Sequence, residues 1–127
     1  MIKECRKYMD RDFEEVRSWY TNRGMILEEN DLPKVGFIVP GIAAGFILQT
    51  DTTSCILEPF IANPFTLKNE RDIALEIIME ELLKESKELG YQRVFGFSTN
   101  LKMVWRAQKL GFKVIETNTL TVVKDLT

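Results

Sequence analysis

Residues 100–112, with the sequence NLKMVWRAQKLGF, form the stretch of this chain that is most informative about its fold. Asn100 is a residue type that commonly precedes the first turn of a helix, and Gly111 is the type that most often follows the last turn. The stretch therefore predicts a helix that begins at Asn100 and ends at Gly111. The apolar segment that follows, residues 112–124, predicts one or two final strands around a turn at residues 116–118.

Two more helices are predicted upstream of this stretch. Asp10 is a candidate N-cap for an amphipathic helix that ends near Gly24. Residues 69–89 carry apolar side chains at helical spacing with charged side chains opposite, and Gly90 follows them as a helix-ending residue. Residues 28–33 are acidic and contain a proline, which predicts a solvent-facing loop suited to a substrate entrance.

Short apolar runs bounded by turn residues predict the strands. The Pro40-Gly41 pair favours a tight turn whose second central residue has a positive φ, so the runs on either side of it form a β-hairpin. A proline inside the fourth run, Pro59, suits an edge strand or a bulge and is disfavoured in a central strand, and the sequence leaves open which of these holds. The predicted strands before the last helix are residues 2–6, 35–39, 42–49, 54–62 and 92–98.

The order of these elements is β-α-β-β-β-α-β-α-β-β, without an internal repeat or a linker. Strands and helices alternate in its second half, as an α/β (α+β) layered fold requires. The 127 residues are enough to bury a core without disulfide or metal staples. We therefore expect one domain over residues 1–127, with a central mixed, mostly antiparallel sheet flanked by helices.

Composition excludes several classes of function. The formal net charge is −2 and the basic residues are scattered, so nucleic acid is not an expected partner. No stretch approaches the roughly 18 apolar residues of a membrane span, so we expect a cytoplasmic protein without membrane contact. The absence of histidine removes imidazole bases and His-ligated zinc. Cys5 and Cys55 lie in apolar runs without partners, which predicts two buried free thiols and no metal site.

The element order together with residues 100–112 resembles the GNAT family of acyl-CoA N-acyltransferases. Members commonly carry an Asn-led helix that ends in Lys-Leu-Gly-Phe at this place. The resemblance implies acetyl-CoA as the cofactor and a small-molecule or protein amine as the acceptor, and it allows a homodimer. Small members of this kind occur among bacteriophage proteins, which suggests a phage origin.

The resemblance also implies a cofactor site around the second helix. The family holds pyrophosphate with a Gln/Arg-x-x-Gly-x-Gly/Ala loop at a helix N-terminus, where backbone N–H groups and the helix dipole attract anions. Alignment places Asn69, Asp72 and Ala74 at the three motif positions, and only Ala74 conforms. Asp72 adds bulk and negative charge, which neighbouring cations can offset, or it is an ordinary acid near a helix start. The implied cofactor-binding residues are Ile61, Ala62, Asn69, Arg71, Asp72, Ile73, Ala74 and Asn100.

The catalytic groups are few. Glu58 matches the strand position from which many members present a carboxylate base, although a solvent-facing structural role is equally open. The tyrosine that many members use to protonate the leaving thiolate is replaced by Ala107. Ser98, Thr99 and Tyr91 are possible substitutes, and Ser98 and Asn100 are also suited to capping a helix.

Three functions remain open at this stage. The first is a GNAT-type N-acetyltransferase that transfers the acetyl group of acetyl-CoA to an amine. The second is a degenerate GNAT-fold binding or structural protein without acyl transfer. The third is a regulatory domain that binds a CoA ester without turnover.

Overall fold

The structure is a computed structural model that describes residues 4–98, 100–117, 120 and 122–126. Contacts between Cα atoms group the chain into two units, Met1–Phe97 and Ser98–Thr127, and each is described by itself. The single domain over residues 1–127 therefore stays a prediction. None of the described helices is long and apolar enough to cross a membrane.

The first unit contains one sheet whose strands follow chain order. The first four strands pair antiparallel with their neighbours, and the fifth lies parallel to the fourth. This confirms the predicted mixed, mostly antiparallel sheet. The strands are β1 (Arg6–Lys7), β2 (Val35–Val39), β3 (Ala43–Leu48), β4 (Ser54–Ala62) and β5 (Arg93–Phe95).

The turn between β2 and β3 has the predicted form. Gly41 has a φ of 82°, and the Ile42 N–H donates to the Val39 carbonyl at 3.0 Å. A positive φ in the second central position is what a Pro-Gly turn requires. β4 has the predicted bounds and β5 is shorter than predicted, whereas β1 shares only Arg6 with the strand predicted at residues 2–6.

Three α-helices are described: α1 (Phe13–Thr21), α2 (Lys68–Glu88) and α3 (Leu101–Lys109). Asp10 was expected to cap α1, and this is wrong: Asp10–Asp12 forms a 3₁₀ turn and Asp12 is the N-cap of α1. The reason is that the Asp12 carboxylate accepts from the Met9 N–H at 2.8 Å, so the chain turns before the helix begins. A second 3₁₀ turn, Glu29–Asp31, lies within the predicted acidic loop.

The helices α1 and α2 cover opposite faces of the sheet in the first unit. On one face, α1 buries Val16 and Trp19 in a cluster that includes Ile38 and Phe46. On the other face, the Sγ atom of Cys55 lies 3.5 Å from the Oγ atom of Ser86 in α2. Burial of apolar side chains on both faces is the main source of stability for such a three-layer unit.

The final strands predicted for residues 112–124 are wrong for the part of this segment that the structure describes. Residues 112–117, 120 and 122–124 carry no strand, and from Lys113 onward the described side chains are exposed. A strand needs a neighbour for its backbone hydrogen bonds, and an apolar sequence alone does not provide one. Asn118, part of the predicted turn, lies outside the described residues.

Candidate functional site

β4 and β5 separate halfway along β4. β5 pairs only with Ser54, Cys55 and Ile56, whereas β4 continues along β3 as far as Ala62. Beyond Ile56, no other described strand pairs with β4 on the β5 side. An unpaired strand edge presents a row of N–H and C=O groups that can bind an extended ligand.

The separation coincides with a bulge in β4. Gly45 lies opposite Phe60, and Ile47 lies opposite Leu57, so the single β3 residue between them faces both Glu58 and Pro59. Two residues opposite one is the pattern of a β-bulge, and a bulge tolerates a proline. The Glu58–Pro59 peptide bond is cis. The position of Pro59, open from the sequence, is therefore a bulge.

The backbone direction after the bulge follows from one hydrogen bond. The Asn63 N–H donates to the Ile42 carbonyl at 2.8 Å, so the N–H group of Asn63 points toward the β3 side. Neighbouring residues of an antiparallel strand point alternately to the two sides. The backbone groups of Phe60 and Ala62 therefore point to the open side, and those of Ile61 point to β3.

α2 begins immediately beyond this open edge. Its first turn carries the N–H groups of Lys68, Asn69 and Glu70, and the first bond of the helix runs from Arg71 N to Leu67 O at 3.1 Å. The side chain of Asn69 already satisfies one of these groups, because its Oδ1 atom accepts from Glu70 N at 3.0 Å. The start of a long helix favours anions through its amides and its dipole.

The residues predicted to hold the pyrophosphate differ in whether their N–H groups are used within the helix. Asn69 lies in the first turn, where N–H groups lack partners within the helix. Asp72, Ile73 and Ala74 follow the first turn, so the helix itself uses their N–H groups. Ala74 is 3% exposed and packs into the core.

The guanidinium group of Arg71 contacts the loop that precedes α2. Its Nη1 atom donates to the Thr66 carbonyl at 2.7 Å and to the Pro64 carbonyl at 3.3 Å. A guanidinium carries five N–H donors, and these two bonds use one nitrogen atom. The arrangement ties a cation to the loop that joins the open edge of β4 to the start of α2.

Glu58 lies at the point where β4 leaves β5. It follows the last β5-paired residue, Ile56, by two positions and belongs to the bulge. Its side chain is partly buried. A carboxylate in this position stands next to the unpaired edge, as a base acting on a ligand bound there would need to.

The hydroxyl groups considered as acids have structural partners. The Oη atom of Tyr91 accepts from Thr50 N at 3.2 Å and donates to Thr50 O at 3.1 Å. Because β5 runs parallel to β4, Tyr91 lies at the opposite end of the sheet from Ala62. Ser98 Oγ accepts from Asn100 N at 3.0 Å, and Thr99 lies outside the described residues.

Asn100 caps α3. Its Oδ1 atom accepts from Lys102 N at 2.9 Å and from Met103 N at 3.4 Å. The capping role expected from the sequence is confirmed, and a cofactor-binding role stays a prediction. At the other end of the helix, Gly111 has a φ of 98°, as its place after the last turn requires.

Asn63 is the residue of this region that sequence reasoning missed. Its side chain bonds in two directions: Nδ2 donates to Gly41 O at 3.0 Å, and Oδ1 accepts from Phe65 N at 3.0 Å. The Asn-Pro pair after a strand was the available signal, because asparagine side chains commonly bond to the backbone at turns.

Comparisons with known proteins show what this fold resembles. No protein-family model matches the chain, and no curated protein matches its sequence. Among solved structures, a GNAT-family acetyltransferase from Streptococcus pneumoniae is 17% identical, with 98% of this chain and 97% of that chain covered and a TM-score of 0.65. An acetyltransferase from Trypanosoma brucei is 14% identical, with 94% and 99% covered and a TM-score of 0.67. Glucosamine-6-phosphate N-acetyltransferase from Arabidopsis thaliana is 11% identical, with 98% of each chain covered and a TM-score of 0.65.

At these identities the likeness is one of fold. The chain has the fold of the GNAT acetyltransferases over nearly its whole length, which confirms the resemblance predicted from the element order and residues 100–112.

Proposed function

We propose that this chain is an N-acetyltransferase that takes its acetyl group from acetyl-CoA. One observation carries the proposal: β4 leaves β5 after Ile56, and its unpaired edge leads directly to the first turn of α2. A strand edge suits an amide-containing arm, and a helix start suits phosphates. Acetyl-CoA has both groups, joined in one molecule.

The pantetheine arm of acetyl-CoA would lie along β4 as an added strand. Its two amide groups offer donors and acceptors like those of a peptide, and Phe60 and Ala62 turn theirs toward the open side. Ile61, which the family resemblance implies as a cofactor-binding residue, contributes only indirectly in this arrangement, by holding β4 to β3.

The pyrophosphate would lie at the first turn of α2. The backbone N–H groups of Lys68 and Asn69 and the guanidinium of Arg71 supply the positive side of such a site. Asp72 follows the first turn, so its own N–H group is used within the helix and takes no part in this site. Its charge nevertheless opposes the phosphates, which lowers the expected affinity.

In the proposed reaction Glu58 accepts the proton of the attacking amine. The nitrogen lone pair forms a bond to the thioester carbonyl carbon, and the carbon–sulfur bond then breaks. The products are an amide and the thiolate of CoA, and the thiolate takes up a proton from water. Water serves here because Ala107 has no hydroxyl group and Tyr91 lies at the other end of the sheet.

Calorimetric titration with acetyl-CoA tests the binding, and release of free CoA thiol in the presence of amines tests the transfer. Glucosamine-6-phosphate, other amino sugars and polyamines form the first acceptor panel. We expect Glu58→Gln to lower kcat by about 100-fold or more while leaving the Kd for acetyl-CoA unchanged. A native chain that does not bind acetyl-CoA at millimolar concentration would overturn the proposal.

A second candidate is a GNAT-fold protein that binds a CoA ester without turnover. The engagement of Tyr91 and Ser98 in backbone hydrogen bonds favours it, because acid catalysis at the thiolate then lacks a protein group. Tight binding of acetyl-CoA without release of free thiol, across the whole acceptor panel, would identify this function.

A further inference from the structure

Asn63 joins three parts of the first unit through its backbone and its side chain. Its N–H donates to Ile42 O at 2.8 Å, and its Nδ2 atom donates to Gly41 O at 3.0 Å. Its Oδ1 atom accepts from Phe65 N at 3.0 Å, and its carbonyl accepts from Thr66 Oγ1 at 2.8 Å. One residue therefore connects the end of β4, the β2–β3 turn and the loop that leads to α2.

The β2–β3 turn is also held from the other side. The Oε1 atom of Glu15 in α1 accepts from Gly41 N at 2.9 Å. The Gly41 residue is thus held by Glu15 through its N–H and by Asn63 through its carbonyl. A turn fixed in this way provides a firm support for the end of β4.

The end of β4 depends on this support because it has β3 as its neighbour on one side and an open edge on the other. The bulge at Glu58 and Pro59 interrupts the β3–β4 ladder just before the segment concerned. After the bulge, the bond from Asn63 N to Ile42 O fixes which side each residue faces.

We propose that Asn63 is a positioning residue for the thioester substrate: by tying β4 to the Gly41 turn it holds the backbone groups of Phe60 and Ala62 toward the open edge. This inference rests on the proposed binding of acetyl-CoA to that edge. Asn63 contacts no reacting atom and acts through the strand that precedes it.

The two side-chain bonds require an amide. Nδ2 supplies the donor for Gly41, and Oδ1 supplies the acceptor for Phe65. Asn63→Asp keeps the acceptor and replaces the donor by a carboxylate oxygen, which faces the Gly41 carbonyl without a hydrogen bond. Asn63→Ala removes both bonds. The pair of variants therefore separates the link to the turn from the link to the loop.

The test is calorimetric titration with acetyl-CoA at a temperature at which every variant is fully folded. We expect the Kd to rise about tenfold or more in both Asn63→Asp and Asn63→Ala, because the end of β4 is then tied to the β2–β3 turn through its backbone alone and the binding edge is held less firmly. Glu15→Ala, which loosens the same turn from the α1 side, should raise the Kd in the same direction by a smaller factor.

Cys55→Ala is the control for general destabilisation, because Cys55 is 0% exposed and lies in the β5-paired part of β4, seven residues before Ala62, so removing its sulfur weakens packing away from the Gly41 turn. Its Kd should stay within about twofold of the native value. Amide hydrogen exchange provides a second readout: acetyl-CoA should slow exchange at Phe60 and Ala62 in the native chain and much less in Asn63→Asp.

The outcomes separate the two proposals. If the native chain binds acetyl-CoA and both Asn63 variants bind it within twofold of the native chain, the role of Asn63 is overturned and the proposed function stands. If the native chain does not bind acetyl-CoA, the proposed function is overturned and this inference falls with it.

Discussion

Gly45 of β3 lies directly opposite Phe60 of β4, and a Cβ atom at Gly45 would stand 2.7 Å from the Cδ1 atom of the Phe60 ring. The same atom would stand 2.8 Å from Cγ2 of Ile78 in α2. Gly45 therefore allows α2 and the Phe60 ring to close over the sheet beside the bulge.

We expect Gly45→Ala to lower the free energy of unfolding by about 1–3 kcal/mol, the usual cost of adding a methyl group to a filled core. Urea denaturation of the variant measures the change. Gly96→Ala is the matched control, since a Cβ atom at Gly96 would meet nothing within 4 Å. Equal stability of the two variants would show that the Phe60 ring is not packed as described.

Arg6 and Asp12 form a two-pronged ion pair whose bonds measure 2.7 and 2.8 Å. The Arg6 hydrogen bond, more than any other contact, lowers the pKa of Asp12 below its usual range. We expect Asp12→Asn to lower the free energy of unfolding at pH 7 by about 1.5–3 kcal/mol, the range for hydrogen bonds to charged groups.

The sign of the pH dependence follows from the direction of the shift. A carboxyl group with a lower pKa in the folded state stabilises the fold above its unfolded pKa, about 4, and loses this contribution as the pH falls through its folded pKa. The free energies of unfolding of the native chain and of Asp12→Asn, measured by chemical denaturation between pH 7 and pH 2, should therefore become more similar as the pH falls. Asp10→Asn, which removes an exposed neighbouring carboxylate outside the ion pair, is the matched control. A constant difference down to pH 2 would contradict the ion-pair contribution.

Cys5 should be a slow nucleophile in the folded protein. Burial, and to a smaller extent the charge of Glu81, raise the pKa of its thiol to about 11. At pH 8 roughly one part in a thousand is then thiolate, against about a quarter for an ordinary thiol, so alkylation should be slower by about two hundred-fold.

Rates of iodoacetamide labelling, followed by mass spectrometry in the Cys55→Ser background, measure this effect. Glu81→Gln should speed the reaction modestly, because it removes the smaller of the two causes of the shift. Labelling of folded Cys5 at the rate seen in urea would refute the raised pKa.

Asn100→Ala should destabilise α3 by about 1 kcal/mol, because the Lys102 and Met103 N–H groups lose their acceptor. Asn100→Ser should restore most of this stability, since serine also caps helices. Hydrogen exchange of the α3 amides is the measurement.

Most elements of the first unit were predictable because their signals are local. The Pro40-Gly41 turn and the spacing of apolar residues before Gly90 predicted the hairpin and α2. Most of the predicted boundaries agree with the structure to within one residue. Asp10 failed as a cap because the Asp12 carboxylate has two partners, Arg6 and Met9, that a local pattern does not include. The C-terminal strand prediction failed where it can be tested because residues 112–117 have strand-like sequence without a neighbouring strand.

The candidate site was predictable only in part. The sequence predicted Glu58 on β4 and an anion site near the start of α2. The motif alignment, however, assigned the pyrophosphate-binding loop to residues 69–74. The helix begins at Lys68, so the usable N–H groups lie earlier than the alignment assumed. The side chain of Arg71 and both ends of the Asn63 amide bond to the backbone of loops, and such partners leave no periodic pattern to read.

By itself the sequence determined the three helices and the strands between Val35 and Ala62, because apolar spacing, turn residues and helix caps act within a few positions along the chain. Tertiary structure alone decided where β4 leaves β5 and which of its backbone groups face the open edge. Those features depend on Gly45 and Phe46 across the ladder and on the bond from Asn63 to Ile42, contacts between residues distant in sequence. The proposed substrate site is a product of strand pairing, and strand pairing is fixed only when the sheet is assembled.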